Sequence, residues 1–97
     1  MAATPEGIVK NEVKKLLNAY PQLYYFMPVQ AGFGASTLDF LGCHVGRFFA
    51  IETKAPGKRP TDRQKMIMDQ MRRAGAKVFV IDGDLTELRA WLNGLID

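Results

Sequence analysis

Two apolar segments separated by a very short turn constrain the fold of this chain more than any other feature. Residues 38–43 and 47–54 both have the composition of β-strands, and Val45-Gly46 lies between them. Strand-like segments joined by so few residues pair as an antiparallel hairpin, because the chain has no length for any other connection. The sequence therefore predicts a β-hairpin at the centre of the domain.

The turn also fixes which residues face each other across this hairpin. With Val45 and Gly46 as the turn residues, His44 faces Arg47, and counting outward places Asp39 directly opposite Glu52. Opposed side chains in such a ladder have Cβ atoms about 5 Å apart. A slip of one residue would move Asp39 to the other face, so the expected pairing depends on the turn.

The remaining segments extend the hairpin into an αβββαβα order. A helix begins after Thr4, with Pro5 at its first position, and further helical patterns come before and after a short apolar strand. The strand after the second helix is expected to lie parallel to 47–54, through a right-handed crossover. We predict an α/β fold with a mixed four-stranded sheet flanked by helices, with helices over 5–20, 61–74 and 84–96 and strands over 23–30, 38–43, 47–54 and 77–81.

Composition limits the classes of protein to which the chain can belong. Its 97 residues are expected to form one domain, 1–97, and a hydrophobic content of 47% excludes a disordered tail. One cysteine excludes an intramolecular disulfide framework, and no Cys/His cluster predicts a zinc site. Neither a signal peptide nor a membrane span is recognisable, so we expect a cytoplasmic protein. The net charge of +3 permits a polyanionic partner without requiring one.

Charged residues interrupt the apolar strand 47–54 at its end. With a period of two, Glu52 and Lys54 project from the same face, and Asp39 is expected across the ladder from Glu52. Two facing carboxylates repel each other unless a cation lies between them, and a hard divalent ion bound by oxygens removes the conflict. The alternative is an exposed Glu52–Lys54 ion pair and a solvated Asp39 at a strand start.

At these residues the chain resembles a known nuclease superfamily. Leu38-Asp39 and Glu52-Thr53-Lys54 look like the PD-(D/E)xK signature of metal-dependent nucleases, with Leu38 in place of the motif proline. More narrowly, the chain resembles VRR-NUC domains, especially small stand-alone forms of phages and prophages. The resemblance implies a restriction-endonuclease-like core and runs through Thr4–Gly7, Tyr25–Gln30, Asp39–Cys43, Gly46–Lys54, Pro60-Thr61, Gln64 and Ala74-Gly75.

The resemblance also implies a Mg²⁺ or Mn²⁺ site. Asp39 and Glu52 would bind the cation through their carboxylates and Thr53 through its backbone carbonyl. An acid from the first helix is implied as well, and Glu6 occupies the family position, as a ligand directly or through water. Glu12 is the second choice on the same helix. Without a ligand role, Glu6 is an anion favoured in the first turn of a helix.

Two further residues complete the implied catalytic set. Lys54 would orient the attacking water or offset charge on the phosphate. Gln64 would be the helix glutamine beside that lysine, but Thr61 and Gln64 also have the spacing of a capping box, in which Gln64 bonds only the Thr61 backbone.

Nucleic acid is the partner that this interpretation requires. Basic residues outnumber acidic ones between 54 and 77, and a domain of this size favours recognition of DNA shape over a long sequence. The resemblance to stand-alone VRR-NUC domains implies an endonuclease acting on branched DNA, a Holliday-junction resolvase of a bacterial or phage-infected cell. Symmetric cutting by such an enzyme implies a homodimer, and a methionine cluster at 66–71 is a candidate interface. Alternatives are a flap- or end-directed nuclease and a non-catalytic nucleic-acid-binding module. The expected DNA contacts are Lys10, Lys14, Lys58, Arg59 and Arg63.

The aromatic residues receive a structural interpretation. Tyr24, Tyr25 and Phe26 are expected in the core. Phe33, on a glycine-rich loop, is expected there too, with stacking on an unpaired base as the alternative.

Overall fold

The fold follows the predicted order of elements. The structure, a computed structural model, describes residues 4–29 and 37–94. Its elements are α1 (Pro5–Asn18), β1 (Leu23–Phe26), β2 (Phe40–His44), β3 (Arg47–Thr53), α2 (Asp62–Arg73), β4 (Lys77–Ile81) and α3 (Thr86–Gly94). This arrangement confirms the α/β class and the αβββαβα order.

Helix α1 begins as its sequence predicts. The Thr4 side chain accepts a 3.0 Å hydrogen bond from the backbone N–H of Gly7, and Pro5 occupies the first turn, where its missing N–H leaves no bond unmade. Val9, Val13 and Leu17 are buried along one face of the helix. Their spacing of four residues presents a single apolar stripe to the sheet.

The central hairpin has the predicted register. The strands lie in the order β1-β2-β3-β4, with antiparallel neighbours up to β3 and a parallel β3–β4 pair. His44 pairs with Arg47 and Phe40 with Ile51. Both turn residues have positive φ, 50° at Val45 and 77° at Gly46, as a two-residue hairpin of this twist requires. The ladder ends at the Phe40–Ile51 pair, so the expected pairing of Asp39 with Glu52 lies one position beyond it.

Helices cover the two faces of the sheet unequally. On one face α1 and α3 enclose the larger core, with Phe49 and Ile51 of β3 at its centre. On the other face α2 packs through Met68 against Ala50 and Val78. Glu52 follows the period of Ala50, so its carboxylate lies on the α2 side of the sheet.

Leu38, which stands where the nuclease motif has proline, is fully buried. It packs with Ala50, Met68 and Val78 on the α2 face. The chain therefore holds the entry to β2 by apolar packing, whereas a proline would hold it through a fixed φ.

The aromatic residues of β1 divide between core and surface. Tyr25 packs against the larger core as expected, but Tyr24 is 70% exposed and Phe26 is 49% exposed, so the prediction for these two is wrong. Their alternation follows from the strand period, because β1 is the edge strand and its second face has little cover. Phe33 lies outside the described residues.

Several boundaries differ from the predicted ones. Strand β1 ends at Phe26, shortly before Pro28, which has no N–H to donate to a ladder; the predicted end at Gln30 lies outside the described residues. Helix α3 begins at Thr86, whose N–H bonds the Asp84 carboxylate two residues earlier, so Asp84 precedes the helix.

Helix α2 is capped at both ends. Its C-cap is Ala74, followed by Gly75 at φ 100°. Of the methionine cluster on this helix, Met68 is buried and Met71 is half-buried against the sheet, whereas Met66 is 66% exposed. The cluster therefore serves mainly the core of this chain.

In the described ranges, no helix combines the length and apolar character needed to cross a bilayer.

Candidate active site

Asp39 lies just before β2 with one carboxylate oxygen fixed. Its Oδ2 accepts a 3.0 Å hydrogen bond from the backbone N–H of Thr53 and a 2.6 Å hydrogen bond from the Thr53 hydroxyl. Thr53 is fully buried, so both donors are held by the central strand β3. The geometry orients the carboxylate and leaves Oδ1 on the side away from Thr53.

Glu52 is a buried carboxylate at the end of the same strand. The residue is 3% exposed, and its Oε2 accepts a 2.8 Å hydrogen bond from Nε2 of Gln64 and lies 3.7 Å from Nζ of Lys54. Burial, followed by the nearby charge of Asp39, raises the pKa of Glu52 to about 7, although Lys54 acts in the opposite direction. The positive charge of Lys54 therefore does not fully offset the cost of burying the Glu52 carboxylate in its ionised form.

Gln64 forms the capping box that its sequence pattern predicts, and it also contacts Glu52. Its Oε1 accepts a 2.9 Å hydrogen bond from the Thr61 N–H, and its own N–H donates to the Thr61 hydroxyl at 3.2 Å, which completes the capping box. The Nε2 of the same amide donates to Glu52. The cap therefore positions the amide that contacts the buried carboxylate.

Lys10 joins helix α1 to Asp39. Its Nζ lies 3.3 Å from Oε2 of Glu6, one helical turn earlier, and 3.9 Å from Oδ1 of Asp39. The sequence places Lys10 among the DNA contacts, and no pattern within the chain predicts its contact with Asp39. The i, i+4 spacing from Glu6 was the one available signal that the two side chains share a helix face.

Glu12 and Lys14 lie elsewhere on α1. Glu12 lines a groove against the start of α3, with Lys15, Leu85 and Arg89. Lys14 is exposed on the surface of the same helix. The structure brings Glu6, and not Glu12, toward Asp39 through Lys10.

The other predicted DNA contacts lie on the connection between Lys54 and Gln64. Lys58, Arg59 and Arg63 are exposed, and the Lys58 N–H bonds the Ala55 carbonyl in a tight turn. The two ends of this connection, Lys54 and Gln64, both contact Glu52.

The donor set tests whether a divalent cation fits. Within residues 4–29 and 37–94, no group of three or more His, Cys, Asp and Glu side chains is arranged to hold a metal alone. Asp39 and Glu52 supply two carboxylates, and Mg²⁺ typically uses one or two carboxylates, several waters and substrate phosphates. An oxygen-only set with an undercompensated buried carboxylate fits such a hard cation.

Comparison with known proteins agrees with this architecture. No known protein family matches the chain in a family scan. A search of curated proteins likewise finds no match. Among solved structures, one described as a "VRR_NUC domain" superposes with a TM-score of 0.75 at 22% sequence identity, over 97% of this chain and 100% of that chain. The chain therefore has the fold of a VRR_NUC domain.

Proposed function

We propose that this chain is a metal-dependent nuclease that hydrolyses phosphodiester bonds in DNA. The observation that carries the proposal is the grouping of two carboxylates at the end of β3: Asp39 is held by Thr53, and the neighbouring Glu52 contacts Lys54 and Gln64. A solvated surface pair does not explain this set, because Glu52 is almost completely buried. The resemblance to PD-(D/E)xK signatures and the shared VRR_NUC fold support the same function.

In this proposal Asp39, Glu52 and the backbone carbonyl of Thr53 hold Mg²⁺ or Mn²⁺, with Glu6 contributing through water. The cation, when bound, polarises the scissile phosphate and lowers the pKa of the attacking water. Thr53 orients Asp39 through its two hydrogen bonds. These bonds engage Oδ2 and leave Oδ1 for the proposed cation.

Lys54 and Gln64 both contact Oε2 of Glu52. The Lys54 ammonium is largely buried, so its charge is weakly screened and is available to orient a water or to stabilise the charged phosphate. Gln64 holds Glu52 in place through an N–H that carries no charge. Lys58, Arg59 and Arg63 are proposed to contact phosphates beside the cut.

Branched DNA is the proposed substrate class. A domain of 97 residues presents little surface for reading a long sequence, whereas DNA shape is recognised through backbone contacts. A Holliday-junction resolvase cuts two strands symmetrically, and symmetric cutting requires a twofold dimer. We therefore propose a homodimer for that activity.

Purified protein on labelled junction, flap, splayed and duplex DNA, with Mg²⁺ or Mn²⁺, tests the function. We expect metal-dependent cleavage with a preference for junctions, and no cleavage by Asp39→Ala. Preference for flaps or free ends would replace the junction assignment. Binding without cleavage of any substrate would identify a non-catalytic nucleic-acid-binding module instead.

A further inference from the structure

We propose that Lys10 is the built-in counter-ion of the metal-free site, which a divalent cation must displace from Asp39 in order to bind. The inference rests on the proposed function, since it concerns the same carboxylates. It assigns Lys10 to control of metal affinity, whereas the sequence suggested a contact with DNA.

The hydrogen bonds of Asp39 determine where a cation can approach. Thr53 occupies Oδ2 with two donors, so Oδ1 is the oxygen that remains for a cation. The Lys10 ammonium lies 3.9 Å from this Oδ1. A coordinated Mg²⁺ would need an oxygen ligand at about 2.1 Å, and the two cations would then repel each other at close range.

The Lys10 ammonium can move away from Asp39 while it keeps its contact with Glu6. Its side chain is 32% exposed, and the ammonium is closer to Glu6, at 3.3 Å, than to Asp39. Glu6 is 42% exposed on the same helix face. The ammonium can therefore move toward Glu6 and solvent by rotation about its flexible stem while it keeps one carboxylate contact.

Lys54 does not have this freedom. Its side chain is 13% exposed, and its partner Glu52 is buried and held by Gln64. Of the two lysines beside the carboxylates, Lys10 is consequently the one that can make way for a metal ion.

Calorimetric titration of the chelator-stripped protein with Mn²⁺ alone tests the proposal. Lys10→Met removes a positive charge near the bound ion and removes the ammonium that competes for Asp39. We expect the dissociation constant for Mn²⁺ to fall five- to tenfold in this variant. Lys15→Met removes the same charge from the opposite side of α1, where Lys15 lines the groove with Glu12, and is expected to stay within twofold of wild type. Lys10→Arg keeps the charge and is also expected to stay near wild type.

Thermal unfolding provides a second measurement without activity. Metal-free Lys10→Met is expected to melt a few degrees below wild type, because two carboxylates lose a cation, and to gain more than wild type from added Mn²⁺. If Lys10→Met does not fold, Mg²⁺ titration of wild type with labelled lysines replaces it. The Lys10 ε-methylene signal is then expected to shift and the Lys15 signal to stay unchanged.

The outcomes separate this inference from the proposed function. Equal Mn²⁺ affinity in wild type and Lys10→Met, or an unmoved Lys10 signal at saturating Mg²⁺, would overturn the counter-ion role even if DNA is cleaved. Tighter Mn²⁺ binding by Lys10→Met in a protein that cleaves no DNA would support it and contradict the nuclease. Failure of all variants to bind Mn²⁺ would overturn both.

Discussion

Nε2 of Gln64 donates a 2.8 Å hydrogen bond to Oε2 of Glu52, while Oε1 of the same amide accepts the Thr61 N–H. One side chain therefore couples the first turn of α2 to the buried carboxylate of β3. The two ends of the amide can be separated by mutation, because one is an acceptor and the other a donor.

Gln64→Glu is expected to keep the helix cap but to lose the hydrogen bond to Glu52, and with it most of the DNA cleavage. A carboxylate at this position still accepts the Thr61 N–H, but it places a second negative charge against Glu52. We expect DNA cleavage to fall at least tenfold, as for other residues that position ligands. Single-turnover cleavage rates measure this effect.

Thr61→Ala is the matched variant with the opposite outcome. It removes the hydroxyl that accepts the Gln64 N–H and is expected to cost about 1 kcal/mol of unfolding free energy. Cleavage at a temperature where the protein stays folded is expected to change little. Equal losses of cleavage in Gln64→Glu and Thr61→Ala would show that only the cap matters.

Thr53→Val tests whether the hydroxyl on Asp39 positions this carboxylate. Valine keeps the side-chain shape and the backbone N–H, but it removes the 2.6 Å hydrogen bond to Oδ2. We expect Mn²⁺ affinity to fall about tenfold, as for other groups that orient metal ligands. Thr53→Ser keeps the hydroxyl and is expected to bind Mn²⁺ like wild type. Calorimetry that finds Thr53→Val equal to Thr53→Ser would remove this role.

The raised pKa of Glu52 makes the stability of the metal-free protein depend on pH. The environment of Glu52 raises its pKa from 4.5 to about 7, so the folded protein is expected to bind more protons than the unfolded protein between these pH values. Unfolding free energy is therefore expected to fall between pH 5 and pH 8, by roughly 3 kcal/mol. Burial is the largest cause of the raised pKa; the charges of Asp39 and Glu6 add to it, and Lys54 opposes it.

Glu52→Gln isolates this effect, since glutamine does not titrate. Urea unfolding at pH 5 and pH 8 is expected to show a smaller loss of stability in Glu52→Gln than in wild type. The same pH dependence in both proteins would mean that Glu52 is not the group responsible.

Val45 supplies a test of the hairpin turn. A β-branched residue at φ 50° is strained, whereas asparagine tolerates this region and favours an Asn-Gly turn. Val45→Asn is expected to raise the unfolding free energy by about 1 kcal/mol. Gly46→Ala, at φ 77°, is expected to lower it by a similar amount. Urea unfolding with Val45→Asn at or below wild-type stability would contradict the expected relief of strain.

The sequence predicts the central hairpin well because the interactions that determine it join residues close together in the chain. The two-residue turn and the strand period determine the hairpin register, and that register brings Asp39, directly before β2, to the end of β3, where it bonds Thr53. The capping residues of α1 and α2 are likewise visible as short patterns around Thr4 and Thr61.

Contacts that depend on how helices dock could not be predicted in this way. The orientation of α1 on the sheet brings Lys10 close to Asp39. Helix α2 leaves part of its face of the sheet uncovered at β1, so Tyr24 and Phe26 stay exposed. Gln64 shows a further difficulty, since its capping pattern did not exclude a second contact, and one amide both caps α2 and bonds Glu52.

Single-turnover cleavage of the best DNA substrate by wild type, Asp39→Asn and Glu52→Gln tests the central claim most directly. Glu12→Gln is the control, since this acid lies on α1 in the groove beside Arg89. At saturating Mn²⁺ we predict losses of at least about a thousandfold for Asp39→Asn and Glu52→Gln, and a rate within twofold of wild type for Glu12→Gln. Rates within tenfold of wild type for folded Asp39→Asn and Glu52→Gln would contradict the claim that these two carboxylates form the active site.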